Sequence, residues 1–225
     1  MAVTATGLQQ FMIQTYTWMM LGLALTGVVA VFTVTNEAVM AAIFANRMIF
    51  FGLIIAEFAL VFAFTMALRK GAAPATLLTM FLVYAALNGL TLSVILLVYT
   101  YESVAQAFFV SAGMFGGMSL YGYVTKRDLT GLGSFAAMGV WGLIIAVVIN
   151  FFLNSSVLNL AISAIGVVIF TILSAYDTQK LKAYYAHYAA DGEGLKRVSL
   201  GGALTLYLDF INLFLFLLRF LGNRR

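Results

Sequence analysis

The sequence predicts an all-α membrane protein, a single domain built as a bundle of seven transmembrane helices, and three observations predict it. Of 225 residues, 64% are apolar and 9% are charged, where a soluble domain carries about 25% charged residues. The mean hydropathy is +1.05. The apolar residues gather into seven runs, each near the roughly 20 residues that a helix needs to cross hydrocarbon. Polar groups are too few to cover a water-facing surface, so the excess apolar area needs lipid as its solvent.

The runs cover residues 11–35, 48–68, 75–100, 104–124, 132–153, 157–176 and 198–221, each bounded by charge, glycine or asparagine. No basic residue precedes Arg47, so the first run lacks the positive region of a cleavable signal and is expected to remain. Arg69 and Lys70 close the second. Pro74, the only proline, stands just before the third, where it starts a helix without costing a hydrogen bond. Gly113, Gly116 and Gly117 in the fourth, with Gly139 and Gly142 in the fifth, read as sites where helix backbones approach closely. The sixth ends near Asp177, and the stretch from Lys180 to Arg197 reads as the longest loop. Asp209 and Asn212 lie inside the seventh, where polar groups are costly; this helix is either a full span, central in the bundle, or broken and re-entrant.

Net charge is +4, and its placement argues for membrane topology rather than nucleic acid. Arg69, Lys70, Lys126, Arg127, Lys180, Lys182, Lys196 and Arg197 follow the second, fourth and sixth runs, whereas the other loops hold only Arg47. The positive-inside rule then sets these loops and the N-terminus on the cytoplasmic side. Seven spans put the C-terminus outside, against which Arg219, Arg224 and Arg225 argue.

Cysteine is absent, which removes disulfides, thiolate metal sites and cysteine nucleophiles. No Walker or dinucleotide glycine motif, His-Glu-x-x-His or Gly-x-Ser-x-Gly occurs, and no acid sits in a Gly-x-Gly-Asp setting as an intramembrane aspartyl protease would want, so no enzyme and no cofactor is expected. Glu37, Asp128, Asp191 and Glu193 read as loop charges, and Glu102 as a boundary residue. Three acids remain. Asp209 falls near mid-membrane by helix rise. Asp177 taken alone reads as an interfacial carboxylate paired with Lys180 or Lys182. Glu57 is either an acid on an ion path or a residue hydrogen-bonded to another helix. If Asp177 and Asp209 meet, they share a proton and sense pH, and once deprotonated they repel and suit a hard cation such as calcium; spacing alone does not bring them together. Asn88, Asn150 and Asn212 read as interhelical glue. His187 reads as a solvated loop residue, and Tyr176 and Tyr207 as belt or packing.

Three stretches carry a resemblance: Gly113–Leu129 (GMFGGMSLYGYVTKRDL), Ala175–Leu181 (AYDTQKL) and Ala203–Gly222 (ALTLYLDFINLFLFLLRFLG). With seven apolar runs in order, the chain resembles the transmembrane Bax-inhibitor motif family in its bacterial branch. The resemblance implies a seven-helix fold with a two-acid pH sensor at Asp177 and Asp209 governing calcium leak. It also implies that Glu57 lines the path and that an arginine late in the second helix pairs with the acids when closed. Counted from Glu57, that position falls on Leu68, beside Arg69.

Two classes of function follow. One is a passive, pH-gated calcium or cation leak with Asp177 and Asp209 as sensor and ion ligands, and with Glu57, Arg69 and Asn212 as candidates for the path or for pairing. Efflux of a small organic acid is a related reading, against which stands the scarcity of cations in the spans. The other is a non-transporting partner of a membrane protease or another membrane complex. Lipid and calcium or protons are the expected partners, nucleic acid is not, and the bacterial cytoplasmic (inner) membrane is the expected location.

Overall fold

A computed structural model describes residues 4–223, and their regular structure is helical. The elements are α1 (Ala5–Thr35), α2 (Glu37–Phe44), α3 (Arg47–Arg69), α4 (Pro74–Val98), α5 (Tyr101–Val124), α6 (Thr130–Leu153), α7 (Ser156–Tyr188) and α8 (Gly192–Leu221). All but α2 are long and apolar enough to cross a membrane. This is the all-α membrane bundle that composition predicts.

Side chains at the ends explain where the helices begin. Thr4, Asn36, Asn46 and Thr100 each accept a bond from a backbone N–H of the first turn that follows, satisfying donors that a helix start leaves orphaned. Pro74 opens α4, as the sequence implies. Asp128 Oδ1 accepts from Thr130 N at 2.9 Å, and Asp191 Oδ1 from Gly194 N at 2.9 Å. Past the end of α3, Gly71 takes φ +72°, the left-handed conformation in which a residue without Cβ is free of strain.

The structure differs from the sequence expectation in three places. The segment between the first two runs contains a further helix, α2, seeded by Asn36. The long loop after the sixth run shrinks to residues 189–191, because α7 and α8 continue as helix beyond their apolar parts. At 33 residues α7 is about 50 Å long, well beyond about 30 Å of hydrocarbon; hydropathy marks where lipid ends, not where the helix does. His187 therefore sits in the last turn of α7. Lastly, α8 is unbroken over 30 residues and has no turn at which to double back. More than half of its apolar window is buried, the largest share of the seven. Arg224 and Arg225 lie outside the described residues.

The chain divides into two compact units. The first takes residues up to Tyr99 with 184–207. Within it α1 packs on α4 and α3 on α4. Gly22 lies against the Phe81 ring and Gly89 against Val29 and the Thr26 carbonyl, so a Cβ at either would collide. The Tyr207 ring is edge-on to Phe81 and Tyr84, both with centroids at 5.7 Å. Thr15 meets Ser199 through hydroxyls 3.0 Å apart, and Phe11 packs on Tyr185. Arg197 pairs with Glu193 and donates to the Ala72 carbonyl at 3.1 Å, fastening the turn after α3.

The second unit takes residues 100–183 and those from Leu208. Phe108 and Phe115 of α5 pack edge-on against Phe210 of α8, and Phe170 of α7 stacks on Phe216 of α8, over Gly166. Gly122 meets the Ala175 backbone and Gly133 the Tyr176 ring. The glycines singled out in the sequence behave differently. A Cβ at Gly113, Gly116, Gly117 or Gly142 would meet nothing within 4 Å, and only Gly139 makes a close contact, with Ile169. In α5 the packing glycine is Gly122; Gly113, Gly116 and Gly117 lie on an exposed face.

Candidate functional site

Inside the second unit, Asp177 of α7 and Asp209 of α8 lie near enough for their carboxyl groups to act on each other electrostatically. Two ionised carboxylates so placed repel each other, whereas a proton on one would let it donate to the other. Asp209 is 5% exposed, and its Oδ2 is buried without a partner. Asp177 is half-buried and acts electrostatically on Lys180, one helical turn away. Lys182 is committed elsewhere: its Nζ donates to the Tyr123 carbonyl at 2.6 Å, satisfying an orphan acceptor at the end of α5. Asp177 is also not at a helix end, since α7 runs eleven residues further, to Tyr188.

Gln179, two residues from Asp177, fastens the connection from α5 to α6. Its Oε1 accepts from Leu129 N at 2.9 Å and its Nε2 donates to the Arg127 carbonyl at 2.7 Å. Neither bond was legible in the sequence, because a polar residue at the edge of an apolar run has many uses. Asn212, one turn from Asp209, donates to the carbonyl of Leu208 at 2.8 Å within its own helix. Asn150 accepts from Ser155 N at 3.0 Å and closes the end of α6, where Asn154 takes φ 50°. Both are local bonds rather than the interhelical glue the sequence suggests.

Glu57 belongs to the first unit. Its Oε1 accepts from the Thr91 hydroxyl at 2.6 Å and its Oε2 from Asn88 Nδ2 at 3.2 Å, so Asn88 is interhelical glue as expected, with Thr91 as a second donor on α4. Tyr207, given no more than packing by the sequence, donates its hydroxyl proton to Asn88 Oδ1 at 3.0 Å. Arg69 is exposed at the end of α3 and forms no salt bridge among the described residues. Its neighbour Leu68 packs against Gly201.

Seven long apolar helices with acids buried among them define an integral membrane protein of the all-α class. The chain belongs to the family described as inhibitor of apoptosis-promoting Bax1, whose model matches residues 8–225. It is 51% identical to the inner membrane protein YbhL of Escherichia coli K12, over 97% of this chain and 94% of that one. Identity to the uncharacterized protein RP147 of Rickettsia prowazekii is 48%, over 97% and 92%. To the uncharacterized membrane protein SpyM3_0260 of Streptococcus pyogenes it is 39%, over 96% and 94%.

Proposed function

We propose that the protein is a passive, pH-sensitive cation leak, with calcium as its cargo and Asp177 and Asp209 as its sensor. One observation carries this reading: two carboxyl groups on facing helices lie near enough to act on each other electrostatically, one of them almost wholly buried with an oxygen unpartnered. A proton shared between them holds the pair together, and losing it leaves two like charges near each other in an apolar setting, which drives them apart and turns their oxygens into ligands for a hard cation. Calcium takes six to eight oxygens when held tightly; two carboxylates offer fewer, which suits an ion that passes rather than stays. The family resemblance supports the same pairing, and the name of the Escherichia coli relative supports an inner-membrane location, with the N-terminus cytoplasmic by the positive-inside rule.

Calcium uptake into liposomes holding the purified chain tests this. A flux that changes across a pH series, and no longer does so in Asp177→Asn with Asp209→Asn, supports the leak. No flux above empty liposomes transfers the reading to control of a membrane protease or another membrane complex.

A further inference from the structure

We infer that Tyr207 is a positioning residue for Glu57, acting through Asn88 to hold that carboxylate in one orientation for a passing cation. The inference rests on the cation-leak reading and adds Tyr207, to which that reading gives no part.

Tyr207 has one proton, which it gives to Asn88 Oδ1; Thr26, at 2.7 Å from the phenol oxygen, then donates to it in competition with the carbonyls of Ala85 and Gly22, which the Thr26 hydroxyl meets at 2.8 and 3.0 Å. Asn88 passes the polarity on, donating Nδ2 to Glu57. Reversing the amide would set its oxygen against a carboxylate oxygen, so the amide keeps its NH2 toward Glu57 and its oxygen toward the phenol, which anchors it. Thr91 holds the other oxygen. Packing removes alternatives: Tyr207 is fully buried, Thr26, Asn88 and Thr91 are each under 10% exposed, and the Phe81 and Tyr84 edges clamp the Tyr207 ring. This chain of donors ends on a half-buried carboxylate. Each Glu57 oxygen accepts one of these bonds, and a carboxylate offers about four lone-pair sites, so acceptor capacity remains for a cation whose approach is set by the two donors.

Tyr207→Phe removes the hydroxyl and keeps the ring. Two readouts test it, with Tyr185→Phe as a tyrosine control elsewhere in the unit. The first is the infrared carboxyl band of Glu57 in the purified protein, identified by its loss in Glu57→Gln. The inference expects that band to shift in Tyr207→Phe and not in Tyr185→Phe. An unshifted band overturns it. The second is tracer cation flux into liposomes for Tyr207→Phe, Glu57→Gln and the double variant. Tyr207→Phe is expected to raise the half-saturating cation concentration by about threefold to tenfold, with no further change when Glu57 is already Gln, since the two then act on one site. Equal effects in both backgrounds mean that Tyr207 acts by packing alone, which contradicts the inference. If no chain carries flux, the leak reading fails, and the infrared band still decides whether Tyr207 positions Glu57.

Discussion

Asp209, 5% exposed, lies near enough to Asp177 of the neighbouring helix for the two carboxyl groups to act on each other electrostatically. The two replacements of Asp209 should therefore behave differently. Asp209→Asn keeps a donor for Asp177 and should leave the thermal unfolding midpoint in detergent nearly unchanged. Asp209→Ala leaves Asp177 without its partner and should cost about 1–3 kcal/mol. Equal losses for both variants would mean that the contact between the two acids contributes little.

Glycines on the two faces of α5 should respond in opposite ways. A Cβ at Gly122 runs into the backbone of Ala175, which cannot swing aside as a side chain can, so Gly122→Ala should lower stability by about 1–3 kcal/mol. At Gly113 nothing stands within 4 Å, and Gly113→Ala should stabilise by up to about 1 kcal/mol through helix propensity. Thermal melts of the two variants side by side check the contrast.

Gln179 holds the 125–129 connection through two bonds. Gln179→Leu should free that connection, at about 1 kcal/mol for each bond lost, and so speed tryptic cleavage at Lys126 and Arg127 severalfold. An unchanged cleavage rate in detergent would show that the loop is held by something else.

Asp128 gives a pH-dependent cap. Two hydrogen bonds from Thr130 hold its carboxyl below the usual carboxylate range. A group whose value is lowered by folding contributes stability above its unfolded value and loses it as pH falls through the folded one. Acidification through the carboxylate range should thus release the first turn of α6, and Asp128→Asn should remove that dependence. Hydrogen exchange at the Thr130 amide reports it.

Hydropathy made the spans legible because lipid demands about twenty apolar residues whatever else the helix does. The same signal was blind to α2 and to the helical continuation of α7 past Asp177, since neither is long and apolar together. Asp177 and Asp209 stood out because charge in a span is costly, yet only the packing of α7 on α8 brings them into contact. Tyr207 could not be singled out, as a buried tyrosine in a span reads as packing until Asn88 and Thr26 are found around its hydroxyl. Gly113, Gly116 and Gly117 misled for the opposite reason: small residues permit close approach without requiring it.

Calcium flux into liposomes across a pH series, for the wild type and for Asp177→Asn with Asp209→Asn, tests the acid pair as sensor most directly. The account predicts a flux that varies with pH in the wild type and is flat in the double variant. A double variant whose flux keeps the wild-type pH profile would contradict it.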